Sequence, residues 1–121
     1  MRHPLVAVAD SVFPNLNPAR EVLSKVNAEL LLAEEPTAEA IMQVARDADA
    51  LLVTYARVTA EMIGQMKRCR IIARFGIGVD NVDIAAATNA SIVVTRVPDY
   101  CIDEVSDHTM ALLLALSLIH I

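Results

Sequence analysis

The chain has 121 residues, a formal net charge of −5, and 55% hydrophobic but only 3% aromatic content. That length supports one compact domain, and a core without Trp must be built from Ala, Val, Leu, Ile and Met, which suits strands covered by helices on both faces. The acidic balance and the lack of a basic stripe exclude nucleic acid and anionic membrane surfaces as expected partners.

The first aliphatic run is Leu5-Val6-Ala7-Val8-Ala9, closed by Asp10-Ser11. Asn17-Pro18 follows as an N-cap with Pro at the first helical position, opening a helix to about Asn27 whose inward stripe is Val22, Leu23 and Val26. Leu30 to Ala33 is a second strand, and Thr37 caps a second helix with Ile41, Val44, Ala45 and Ala48 at helical spacing. Ala50 to Thr54 is a third strand, after which Thr59 caps a helix carrying Met62, Ile63 and Met66. Ile71 to Arg74 is a fourth strand, Asp83 opens a short helix through Ala87, and Ile92 to Thr95 is a fifth strand. From about Ile102 a long helix runs to the C-terminus. Five runs, each followed by a helix, predict an α/β fold: a flavodoxin-like, doubly wound, five-stranded parallel sheet of order 2-1-3-4-5.

Met1-Arg2-His3-Pro4 leads into an apolar run too short for a signal peptide. The apolar stretch Met110 to Ile121 falls short of the roughly 20 residues that a membrane span needs, and reads as a buried helix. Cys69 and Cys101 lie too far apart for a CxxC motif and have no His at ligand spacing, so they are expected to be reduced thiols, with no metal site, in a soluble cytoplasmic protein.

In doubly wound sheets, ligands sit beyond the carboxyl ends of the strands near the switch in strand order. That rule selects Asp10-Ser11, Tyr55-Ala56-Arg57, Phe75-Gly76-Ile77-Gly78 and Arg96 through Tyr100. Two of the three glycines flank Ile77 directly after the fourth strand, where glycine permits unusual φ and close approach of a ligand to the main chain. Exposed N–H groups in such a turn can hold a carboxylate or phosphate oxygen; the plainer alternative is a tight turn and nothing more. The pair is not the dinucleotide fingerprint, since Asp80 and Asn81 stand where further glycines would be sought and no helix begins at once. Arg57 and Arg74, at strand ends, could pair with an anion or simply be solvated. His3, His108 and His120 are scattered, and none has an acid partner at catalytic spacing. Asp99, Asp103, Glu104 and Asp107 suit the N-terminal partial charge of the last helix, and Met62, Met66 and Met110 read as core fillers.

Arg74-Phe75-Gly76-Ile77-Gly78-Val79-Asp80-Asn81-Val82-Asp83, followed by Ile84-Ala85-Ala86-Ala87, resembles the signature of the D-isomer-specific 2-hydroxyacid dehydrogenases. Ile92 through Tyr100 with Ile102 through His108 is similar to that family's next segment, and Leu51-Leu52-Val53-Thr54 through Val58-Thr59-Ala60-Glu61 to an earlier one. The branch resembled is that of phosphoglycerate dehydrogenase and the C-terminal-binding proteins. The resemblance implies a two-domain oxidoreductase transferring hydride between NAD or NADP and a small 2-hydroxy or 2-keto acid. Residues 1–100 would then be the substrate domain, and 101–121 the start of an interdomain helix before a Rossmann domain that lies outside this chain. It also implies that Tyr55, Ala56, Arg57, Arg74, Gly76, Ile77 and Gly78 line the substrate, with backbone N–H groups of the glycine turn on its carboxylate. Ile77 and Val105 would touch the cofactor. The catalytic Arg, acid and His of family members fall beyond Ile121, so no catalytic residue is assigned here. A homodimer is implied for the full-length protein, with the last helix between the domains and its apolar surface exposed when it stands alone. The rival reading is a non-catalytic module, corepressor-like or binding small carboxylates.

Two positions depart from the family pattern. Asn89-Ala90-Ser91 stands where relatives usually have Arg-Gly, so that Ser91 would cost about 1 kcal/mol or more in a left-handed conformation unless the turn is rebuilt around Asn89. The ending Ser117-Leu118-Ile119-His120-Ile121 replaces the basic residues expected there and reads as a non-native tail.

Overall fold

A computed structural model describes residues 2–119. Strands β1 (Leu5–Val8), β2 (Glu29–Leu32), β3 (Ala50–Val53), β4 (Ile71–Arg74) and β5 (Val93–Thr95) form one parallel sheet of order β2-β1-β3-β4-β5. Helices α1 (Asn17–Ser24), α2 (Ala38–Ala45), α3 (Ala60–Gln65) and α4 (Ile84–Asn89) make the crossovers, and α5 (Ile102–Ile119) follows β5. The flavodoxin-like order expected from the sequence is the one observed. Val6 pairs with Leu30 on one side and Ala50 on the other, so the chain leaves β1 in one direction and returns to its opposite edge at β3. The crevice created by that reversal lies between Asp10 and the segment after Val53.

Alternation along each strand divides the core. Ala7, Leu51, Val53 and Ile72 face Ile41, Ala45, Met62, Ile63 and Ala87 from α2, α3 and α4. On the other face, Val6, Val8 and Leu30 meet Leu16, Ala19 and Leu23. The inward stripe of α1 is therefore Leu16, Ala19 and Leu23; Val22 and Val26, expected on it, are exposed. The 3.6-residue period puts Ala19 and Leu23 on one face, and Val22 and Val26 on the next.

Thr37 and Thr59 cap α2 and α3 as expected, accepting the N–H groups of Ala40 and Met62 at 3.3 Å, and Asp83 caps α4 by accepting that of Ala86 at 2.9 Å. Each such cap contributes about 1 kcal/mol. Asn17 is not the N-cap of α1. Leu16 holds that position without a side-chain bond, because the Asn15 carboxamide accepts the Asn17 N–H in an Asx turn. At the other end of α4, Ser91 takes φ 57°, its N–H bonding to the Thr88 carbonyl and that of Ile92 to Ala87. This is a Schellman closure with serine in the left-handed position, so the turn is not rebuilt around Asn89. Asn27 (φ 53°) closes α1 in the same way.

The last helix is not buried, as its apolar run alone suggests, but exposed, as expected of this helix standing alone. α5 buries none of its described residues: Leu112, Leu113, Leu114 and Leu116 are exposed, as is Met110, which read as a core filler. Its apolar residues surround the helix instead of forming one stripe, and no other described segment covers them. His120 and Ile121, together with the end of the expected tail, lie outside the described residues. Among the described residues, no helix is long and apolar enough to cross a membrane.

Candidate functional site

At the carboxyl ends of the strands, Asp10 ties β1 to the segment after β3. Its Oδ1 accepts the N–H of Thr54 at 2.8 Å and its Oδ2 that of Tyr55 at 2.7 Å. Charge-assisted bonds of this length hold a loop firmly. They also occupy the Tyr55 N–H, leaving that residue its ring to offer to a ligand.

The Thr54 carbonyl is the next joint. It accepts Arg74 Nε at 3.1 Å and Asn81 Nδ2 at 3.4 Å, and Asn81 Nδ2 also reaches the Ala56 carbonyl at 2.9 Å. Asn81 thereby staples the segment after β3 to the one after β4, helped by the Val58 N–H on the Asn81 carbonyl at 2.8 Å. Its Oδ1 is buried without a partner among the described residues.

Arg74 leaves the end of β4 and turns back over the glycine turn, its Cζ 6.0 Å from the centre of the Tyr55 ring. A Cβ on Gly76 would come within 2.0 Å of an Arg74 terminal nitrogen, and Gly76 has φ 157°, which side-chain-bearing residues rarely adopt. Glycine at 76 therefore gives the guanidinium its seat. The Gly76 carbonyl accepts the Val97 N–H at 2.9 Å, and the Ile77 carbonyl accepts a hydrogen bond from Arg96 Nη1 at 3.0 Å. No acceptor among the described residues takes the N–H of Ile77 or Gly78, and both residues are exposed.

The fold thus brings Tyr55, Arg74, Gly76, Ile77 and Gly78 together. Ala56 is buried, and its part in the network is its carbonyl. Arg57 is exposed and lines a separate hollow of about 370 Å³ with Thr59, Asp80 and Asp83. Val105 stands exposed one turn into α5. Tyr100 is near this region: its phenol is held above the usual range by a hydrogen bond to Cys101, then by the charge of Cys101, with smaller contributions that include Tyr55 and Glu104. Asp10, Asn81 and Arg96 have site roles that the sequence did not reveal. Asp10 and Arg96 belonged to strand-end segments already singled out, but their partners lie 44 or more and 19 positions away respectively.

Other ordered polar features lie elsewhere. At the opposite end of the sheet, Asp49 accepts the Leu5 N–H at 2.8 Å and pairs with Arg2 and Arg68. The Leu5 bond is the main cause holding its carboxyl below the ordinary value, with the two arginines adding to it. Burial pushes the Cys69 thiol up, keeping it protonated. A hollow of about 720 Å³ between α2 and α3 shares no residue with the glycine turn.

A nicotinamide cofactor fits this surface only in part. Ile77 and Val105 are exposed apolar side chains suited to the face of a flat ring, while the sequence carries neither the G-x-G-x-x-G nor the Walker A pattern that cradles phosphates.

Comparison with known proteins gives a consistent result. Residues 6–116 match the family model described as D-isomer specific 2-hydroxyacid dehydrogenase, catalytic domain. A glyoxylate reductase of Aeropyrum pernix is 36% identical over 118 residues, covering 95% of this chain and 34% of the relative. A D-3-phosphoglycerate dehydrogenase of Mycobacterium bovis is 35% identical over 118 residues, covering 97% of this chain and 22% of the relative. Among solved structures, the NADPH-dependent glyoxylate/hydroxypyruvate reductase of Sinorhizobium meliloti, in complex with NADP and malonate, superposes with a TM-score of 0.75 at 28% identity. It is matched over 93% of this chain and 34% of its own. The chain thus spans about a third or less of the curated relatives it resembles.

Proposed function

The chain belongs to the D-isomer specific 2-hydroxyacid dehydrogenase family, and on that premise we propose that it is the substrate-holding part of a cytoplasmic oxidoreductase interconverting 2-keto acids and D-2-hydroxy acids. The cofactor is NAD or NADP, held mainly by a nucleotide-binding domain outside these 121 residues. When bound, it supplies or accepts the hydride.

One observation carries the reading: the Ile77 and Gly78 N–H groups have no acceptor among the described residues, and the Arg74 guanidinium packs against Gly76 next to them, at the carboxyl end of β4. Two N–H donors suit the two oxygens of a carboxylate, and the guanidinium adds charge. Holding the carboxylate orients the adjacent keto carbon, and orientation is a large part of what such a site contributes to rate. The exposed Tyr55 ring walls one side, Ile77 and Val105 face the cofactor, and Arg57 lies within the same carboxyl-end surface. The full-length protein is a homodimer in this reading, α5 being covered there.

The test joins this chain to the nucleotide-binding domain of a relative. Reduction of glyoxylate or hydroxypyruvate with NADH or NADPH is the expected result. A well-folded chimera inactive with a broad panel of 2-keto acids would refute the enzyme reading; carboxylate binding without turnover would favour the non-catalytic module.

A further inference from the structure

The two peptide groups that present the free N–H donors are both held from behind by the segment after β5. The Gly76 carbonyl takes the Val97 N–H at 2.9 Å, and the Ile77 carbonyl takes a hydrogen bond from Arg96 Nη1 at 3.0 Å. The peptide bonds are trans, and in a trans peptide the carbonyl points opposite to the N–H of the same plane. The Gly76 carbonyl shares its plane with the Ile77 N–H, and the Ile77 carbonyl with the Gly78 N–H. Anchoring both carbonyls therefore fixes both peptide planes and leaves each N–H pointing away from the group that holds its carbonyl. In regular extended backbone successive peptide groups alternate in direction, so the orientation of two neighbouring donors depends on such restraints, and a pair that converges makes an anion-binding concavity.

Val97 supplies one restraint through its main chain, which any residue other than proline would provide. The other comes from a side chain alone. We propose that Arg96 is a positioning residue that fixes the Ile77–Gly78 peptide so that the Gly78 N–H is aimed at the substrate carboxylate. This rests on the carboxylate reading of the turn. Arg96 holds the carbonyl edge of the peptide, opposite the N–H edge that would meet the anion, so it does not compete with Arg74, whose guanidinium packs against Gly76. A cationic donor on a carbonyl also polarises the peptide, making its N–H a stronger donor. Arg96 is exposed and at the end of β5, so replacing it spares the core.

The experiment uses the 15N-labelled chain titrated with glyoxylate, followed at the Ile77 and Gly78 amides, together with backbone order parameters without ligand. In Arg96→Met, glyoxylate is expected to bind about fivefold more weakly, the loss of one hydrogen bond from a charged donor discounted for exposure. The ligand-free order parameter of the Gly78 N–H should fall from about 0.85 toward 0.6. Arg96→Lys keeps a charged donor and should recover at least part of both losses. Arg46→Met, which removes the same charge at the C-cap of α2, should change neither. Wild-type affinity in Arg96→Met, or an equal loss in Arg46→Met, would overturn the role of Arg96 while leaving the carboxylate site standing. Loss of Gly78 order in Arg96→Met with no glyoxylate response at these amides in the wild type would overturn the carboxylate reading itself.

Discussion

Replacing Ser91 by glycine should stabilise the domain. Ser91 closes α4 at φ 57°, with its own N–H on Thr88 and the Ile92 N–H on Ala87. A residue with a Cβ in this conformation costs roughly 1–2 kcal/mol relative to glycine. Glycine gives back about 0.4–1 kcal/mol of that gain, because it makes the unfolded chain more flexible. The net expectation is about 0.5–1 kcal/mol in favour of Ser91→Gly, a rise in Tm of about 2–4 °C for a domain of this size. Ser91→Ala provides the control. The Ser91 side chain is exposed and makes no hydrogen bond with the described residues, so alanine keeps the backbone cost and should fall within about 0.5 kcal/mol of the parent. Thermal melts and urea titrations of the three proteins at one pH decide the matter. A Ser91→Gly protein no more stable than Ser91→Ala would refute the argument that backbone conformation is the cost at this turn.

Two further outcomes test other parts of the structure. The Asp49 carboxyl is held below the ordinary aspartate value of 3.8, first by the Leu5 N–H and then by Arg2 and Arg68. A depressed carboxylate contributes stability above its unfolded value and loses it as pH falls through the folded one. Asp49→Asn should therefore be less stable than the parent at neutral pH, with the difference shrinking below about pH 3.8; a difference unchanged from pH 7 to pH 2.5 would contradict the assignment. The second outcome concerns α5, whose exposed leucines form an apolar surface of the kind that drives association. Sedimentation should show concentration-dependent self-association that a Leu113→Glu, Leu116→Glu double variant abolishes, and a clean monomer of the parent at high concentration would count against this.

Much of the fold was legible in the chain because its signals are local. Thr37, Thr59 and Asp83 are capping residues placed before apolar runs, and a cap acts on N–H groups only three residues away. The strand-helix alternation gave the sheet order, because parallel strands need crossovers and few topologies survive that restriction. Where two apolar faces were one residue out of phase, the reading slipped. Val22 and Val26 are no less hydrophobic than Leu23, and only the position of Val6, Val8 and Leu30 decides which of them is inside.

The glycine turn shows the same division. Gly76 and Gly78 at a strand end, with Arg74 before them, point to a site from residue type and spacing alone, because glycine lets a ligand approach the main chain. What the turn can do was decided by contacts far apart in the chain. Asp10 silences the Tyr55 N–H from 45 positions away, and Arg96 holds the Ile77 carbonyl from 19 away. Hydrogen bonds of that kind depend on which strands lie side by side, and that arrangement exists only once the sheet has formed. The sequence by itself determined the elements, their order and the position of the glycine turn at a strand end; the tertiary structure decided which of that turn's donors are free.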